Sequence, residues 1–165
     1  MARILMVDDN APFLKPMSSL LTAKGHDVRT TSSCEEARAL LQTESFEVLI
    51  TDISMQPLTG MDLLQTSTSV DPFRPVIMLT AYASLETTLK AVKRGAFDLL
   101  TKPFRVDELI ETIQRGMEWS AALRKGVDTH TLPGGPGANA ESSRAKFLKK
   151  YIQSQVPTFP KGLHH

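Results

Sequence analysis

Cysteine is almost absent: Cys34 is the only one in 165 residues. A lone thiol cannot close an intramolecular disulfide, and no neighbouring ligands make it part of a zinc cluster, so the expectation is a reducing, cytoplasmic setting. Long apolar runs are missing too. Nothing approaches the roughly 20 residues that span a bilayer, and "MARILMVDDN" turns acidic too early for a secretory signal. No Gly-rich turn follows the first apolar run, which argues against a dinucleotide-binding loop. No internal repeat suggests a solenoid. Helix-turn-helix, zinc-finger and nucleotide-hydrolysing motifs are likewise lacking, so there is no direct nucleic-acid motif.

The net charge of +1 conceals two unlike parts. Residues 1–123 carry 12 Lys/Arg against 16 Asp/Glu, a balance of −4, whereas residues 124–165 carry 7 against 2, a balance of +5. Composition breaks at the same place, because "THTLPGGPGANAESS" has too little apolar surface to build a core. The expected organisation is one domain over 1–123, followed by a Gly/Pro-rich linker and basic tail over 124–165. Within the tail, "SSRAKFLKKYIQSQ" suits a short amphipathic helix at about 142–154, with Phe147, Leu148, Tyr151 and Ile152 towards one side. A solvated extension is the simpler reading of the tail.

In the body, short aliphatic runs alternate with helical patterns: "RILMV" and "APFLKPMSSLLTAKG"; "HDVRTT" and "SCEEARALLQT"; "EVLIT" and "GMDLLQTST"; "PVIML" and "SLETTLKAVKRG"; "FDLL" and "RVDELIETIQRGMEWS". The third and fourth runs are continuously apolar, as strands covered on both faces should be, and the helices supply the crossovers that parallel strands need. The prediction is an α/β fold with a doubly wound, five-stranded parallel sheet. Ser33 and Ser84 are expected helix caps, and Gly25 and Gly95 helix stops. In the last helix Val106, Leu109, Ile110, Ile113 and Met117 form one apolar stripe.

Open parallel sheets bind ligands at the carboxyl ends of their strands. Here the first run ends at Asp8-Asp9, the third at Asp52, the fourth at Thr80 and the fifth at Thr101-Lys102. Three carboxylates converging there repel by several kcal/mol at reduced dielectric and call for a cation. Mg²⁺ suits carboxylate, carbonyl and phosphate oxygens. Lys102 adds a mobile positive charge and Thr80 a hydroxyl donor. Taken singly, each has a plainer explanation: Asp8 and Asp9 a solvated strand end, Thr80 a structural hydroxyl, Lys102 an exposed charge.

Together "VDDN", "LITDISMQPLTGMDLL", "MLTAYAS" and "LLTKPF" resemble the receiver domain of bacterial two-component response regulators, over residues 1 to about 122. The stretch "GAFDLLTKPF" is most similar to receivers attached to enhancer-binding transcriptional activators. The resemblance implies a flavodoxin-like (βα)5 topology and a phosphorelay role. By that likeness Asp52 is the phosphoacceptor, fed by a sensor histidine kinase or phosphotransfer protein. Asp9 binds Mg²⁺ directly, Asp8 directly or through water, and Asp52 and the Ser54 carbonyl complete the metal site. Thr80 and Lys102 meet the phosphoryl group, Ala81 leaves it room, and Ser54 and Tyr82 govern water's access, with Tyr82 expected to shield. Pro103 resembles the family's cis proline. The resemblance further implies that the surface of the fourth helix, fifth strand and fifth helix, roughly residues 84–122, controls a downstream protein or an output domain. Dimerisation on phosphorylation is one such output.

Two departures stand out. Leu99 occupies the position where the family usually has a switching aromatic, and alternation puts Phe97 on the same sheet face as Leu99. Gln56 replaces the usual proline, with Pro57 next, which shifts the expected loop path. The alternative to a switching module is therefore a constitutive interaction module. A metal-dependent phosphatase is a third reading, weakened because "VDDN" lacks the Asp-x-Asp arrangement of haloacid dehalogenase phosphatases.

Overall fold

Each of the five aliphatic runs becomes a strand and each helical pattern a helix. The computed structural model describes residues 1–55, 58–82 and 84–126. In chain order the elements are β1 (Arg3–Val7), α1 (Ala11–Ala23), β2 (Asp27–Thr31), α2 (Cys34–Thr43), β3 (Val48–Asp52), α3 (Gly60–Val70), β4 (Val76–Thr80), α4 (Leu85–Lys93), β5 (Asp98–Thr101) and α5 (Val106–Arg124). All pairings are parallel, and the strand order is β2-β1-β3-β4-β5. This is the doubly wound sheet expected from the sequence.

Period-two alternation sends neighbouring side chains of one strand to opposite cores. Leu5 and Val7 of β1 join Leu41, Leu49, Leu63, Leu64, Met78 and Leu99 on one face. Ile4 and Met6 join Leu14, Leu21, Ile50, Ile77, Leu100, Leu109 and Ile113 on the other. The first core lies beneath α2, α3 and α4, the second beneath α1 and α5. Strands β3 and β4, read as continuously apolar, are buried along their length except at Asp52. Edge strand β2 instead alternates exposed and partly buried positions before ending at the buried Thr31.

The helix ends follow their local chemistry. Ser33 and Ser84 accept hydrogen bonds from the backbone N–H groups of Glu36 and Thr87, as anticipated. Gly95 follows α4 at φ 98°, a conformation that residues with a Cβ rarely adopt. Helix α5 continues beyond the predicted Ser120 to Arg124, since Ala121, Ala122 and Leu123 are strong helix formers. The linker, the tail helix expected at about 142–154 and the Gln56–Pro57 path lie outside the described residues.

The alternation argument fails at Phe97. β5 begins at Asp98, so Phe97 precedes the pleat. Its ring lies 5.3 Å from that of Trp119 on α5, whereas Leu99 is buried in the core beneath α2, α3 and α4.

Candidate functional site

The order of the strands sets the location. From β1 the chain goes outwards to β2, then returns to place β3 on the other side of β1, and the crevice at this reversal opens at the carboxyl ends of β1 and β3. The register pairs Val7 with Thr51, so the next residues, Asp8 and Asp52, emerge at one level. Thr80 pairs with Thr101, which brings Lys102 to the same rim.

The predicted polar groups meet there. Asp8 is fully buried, Asp52 is partly buried, and Asp9 is exposed. Each offers one carboxylate oxygen, and these oxygens lie within 4.8 Å of one another. Lys102 Nζ donates to Asp8 Oδ2 at 2.5 Å and to Asp52 Oδ2 at 3.2 Å. The other carboxylate oxygens are also engaged: Asn10 N–H donates to Asp8 Oδ1 at 2.9 Å, and Ser54 N–H to Asp52 Oδ1 at 3.0 Å. A buried carboxylate is tolerated when it is paired and hydrogen-bonded in this way.

Burial acts to lower the Lys102 pKa, but the hydrogen bonds and charges of Asp8 and Asp52 outweigh it, so the ammonium holds its proton more firmly than an ordinary lysine. Its backbone N–H donates to Thr80 O at 2.7 Å, and the Lys102–Pro103 peptide is cis. Nζ also sits 4.4 Å from the centre of the Phe13 ring, which meets Phe104 edge-on with centroids 6.2 Å apart.

Thr80 is buried, and its hydroxyl is occupied locally: Oγ1 accepts from Tyr82 N–H and donates to Tyr82 O, both at 3.1 Å. Ala81 and Ser54 are exposed beside the cleft. Tyr82 is 88% exposed, so the shielding expected of it requires the ring to move inwards. Leu99 is wholly buried one strand position below Leu100, in contact with the α4-side core rather than the cleft.

Gly60 at the start of α3 is part of the site's framework. A Cβ there would lie 2.2 Å from the Asp52 carbonyl oxygen, and the Gly60 N–H donates to Ile53 O at 2.9 Å. Only a residue without a side chain lets α3 approach the end of β3 this closely. A Thr59–Asp62 capping box fixes the same turn.

Sequence reasoning found every charged member of this cluster and missed Phe13 and Phe104. An aromatic in the first turn of an amphipathic helix looks like core, and nothing in its spacing marks it as a partner for a lysine 89 positions away. Volume is no better guide. A cavity of about 700 Å³ at the opposite edge, lined by Arg3, Phe46, Asp71, Met117 and Arg124 among others, gathers no comparable acidic set.

The donor set at the cleft is all oxygen, which fits a hard divalent ion such as Mg²⁺ better than a thiophilic one. Among the described residues no helix is long and apolar enough to cross a membrane.

Comparison with known proteins agrees with this geometry. Residues 4–114 match the family described as response regulator receiver domain. The response regulator protein PilR of Pseudomonas aeruginosa is 34% identical over 163 residues, covering 97% of this chain and 36% of that protein. The chain thus spans about a third of that relative's length. A response regulator receiver domain protein from Clostridium thermocellum superposes with a TM-score of 0.70 at 34% identity, over 74% of this chain and 99% of that one. A response regulator from Burkholderia pseudomallei, solved with a phosphorylated aspartic acid and a calcium ion, gives a TM-score of 0.66 at 29% identity, over 75% and 73% of the two chains. With an acidic, lysine-bridged cleft at the reversal of a five-stranded parallel sheet and a family match across most of the described residues, the chain belongs to the response regulator receiver domain family.

Proposed function

We propose that the chain is the phosphoacceptor module of a two-component phosphorelay, and that Asp52 takes the phosphoryl group. What carries this is the Lys102 bridge, in which one ammonium touches both the buried Asp8 and the strand-end Asp52. It stands beside the oxygen that would attack. The donor is a phosphohistidine on a sensor histidine kinase or phosphotransfer protein. An Asp52 carboxylate oxygen bonds to phosphorus as the P–N bond breaks, and the electron pair leaves with the imidazole. Asp8, Asp9, Asp52 and the Ser54 carbonyl would hold Mg²⁺, which supplies charge neutralisation at the phosphoryl oxygens when bound. The chain acts as a stoichiometric acceptor, not a turnover enzyme.

The rigid β3 aims the carboxylate, and Gly60 lets α3 pack behind it. Lys102 exchanges its Asp52 contact for a phosphoryl oxygen. Thr80 can reach the same group only by releasing its two bonds to Tyr82, which frees the loop leading into α4. Populations of the α4–β5–α5 surface shift in consequence and alter binding to a downstream protein, an output domain or a second copy of the chain. Residues 1–123 form this unit, and 124–165 a linker and basic tail. The phosphorylated aspartic acid in the Burkholderia relative supports the assignment.

The test is intact-mass measurement after incubation with Mg²⁺ and a small phosphodonor. Wild type should gain one acid-stable, base-labile phosphoryl group, and Asp52→Asn none; equal labelling of both proteins would sink the proposal. A second reading, a constitutive interaction module, is favoured by one observation: Leu99 fills the core where the family usually has a switching aromatic. Phosphorylation on Asp52 with no change in partner binding would select it.

A further inference from the structure

We propose that Phe13 is a positioning residue for Lys102, holding the ammonium over its ring face while the lysine's anionic partners change. The consequence for exchange rests on the phosphoacceptor reading; the contact itself does not. Lys102 Nζ lies 4.4 Å from the ring centre, well inside the distance at which a cation is attracted to an aromatic face. Its two other named partners, Asp8 and Asp52, both belong to the acidic cluster. A divalent ion draws on both carboxylates, and a phosphoryl group converts one of them into a mixed anhydride. Either event loosens their hold on the lysine. The ring ligates no metal and accepts no phosphoryl group, so its attraction persists through both.

The ring is itself fixed. Phe13 N–H donates to Asn10 O at 3.0 Å, and Asn10 N–H donates to Asp8 Oδ1 at 2.9 Å, so one turn ties the aromatic to the buried carboxylate. Phe104, two residues beyond Lys102, meets the Phe13 ring at an interplanar angle of 85°. Both rings pack against the core beneath α1 and α5. The lysine is thereby held from its own strand end and from the first turn of α1.

Two measurements on the full chain test this. In the NMR spectrum of the unphosphorylated protein, the Lys102 ε-methylene protons should be shifted upfield by the ring face, and Phe13→Leu should return them to ordinary lysine values. The second measurement is the rate of acyl phosphate formation from acetyl phosphate with Mg²⁺. It should fall about three- to tenfold in Phe13→Leu, and by graded amounts as the ring is progressively fluorinated, with Phe13→Tyr near wild type. Fluorinated rings keep the shape and lose the negative face, so they decide the matter if the leucine variant folds poorly. Ordinary methylene shifts in wild type would overturn the contact, and rates indifferent to fluorination would overturn the positioning role. A wild type that takes no phosphoryl group would overturn the acceptor function and, with it, the role in exchange, while the methylene shift would still decide the contact.

Discussion

Lys102 faces two carboxylates, and the geometry ranks them. The contact to Asp8 is 0.7 Å shorter than that to Asp52, and Asp8 is the fully buried one. Asp8 therefore depends on the lysine for its charge balance, whereas Asp52, at the strand tip, is the exchangeable partner. Lys102→Ala leaves a buried carboxylate without its cation, a change that costs about 3 kcal/mol of folding stability. Mg²⁺ should return more of that stability to the variant than it adds to wild type, because the uncompensated acids bind a divalent ion more tightly. Urea unfolding in chelator and in Mg²⁺ measures both effects; an equal Mg²⁺ response in the two proteins would contradict the ranking. The same variant should keep phosphorylation better than it keeps phosphorylation-dependent partner binding, since under the proposed function Asp52 remains as acceptor but the group that would read the phosphoryl oxygen is gone. The spacing of "VDDN" and "LLTKPF" was enough to predict that these residues meet. It could not predict which carboxylate holds the lysine, since burial and the Asn10 turn decide that.

Among the elements, the junction of β3 and α3 sets the tolerance of the site. Gly60 was legible as a helix start, but not as the point where a helix presses on the Asp52 carbonyl, since only the packed backbone reveals the missing room. Gly60→Ala must push α3 off β3 or bend the end of the strand. The expected loss is about 2 kcal/mol of stability, with slower phosphorylation of Asp52 because the aim of the proposed nucleophile changes. Denaturant titration and the acetyl phosphate rate give the two readouts. Unchanged values for both would mean the junction yields freely. Phe97 teaches the converse. Its expected face followed from strand periodicity, which applies only inside the strand, and one residue outside β5 its ring turned to Trp119.

Across the whole molecule, the two rims of the sheet do different jobs. Aliphatic runs and polar strand ends made the sheet and its functional rim readable, because parallel topology leaves few places for such residues to go. The opposite rim was not readable as a unit: it is held by half-buried and exposed pairs, Arg3–Glu44 and Arg29–Glu44, and by Ala2 N–H donating to His26 Nδ1 at 3.1 Å. That bond needs a neutral imidazole. Burial first, then the N-terminal ammonium, lower the His26 pKa below its usual 6.5, against a smaller opposing pull from Glu47. As pH falls through 6.5 the unfolded chain takes up the proton before the folded one does. Stability therefore drops through this window, and the loss is complete once the pH is below the folded value. Asp71 titrates in a separate range. Burial tends to raise its pKa, but the hydrogen bonds and charge of Arg124 and Phe73 N–H overcome that, and its contribution is lost only as pH falls below its usual 3.8. Urea midpoints at pH 7.5 and 5.5 should thus fall further for wild type than for His26→Asn, which keeps an acceptor for Ala2 N–H but no titrating ring. Acetyl phosphate labelling at pH 7.5 should be equal in the two proteins, because His26 lies at the far rim from Asp52. A variant that lost labelling while gaining acid stability would show that the rims are coupled.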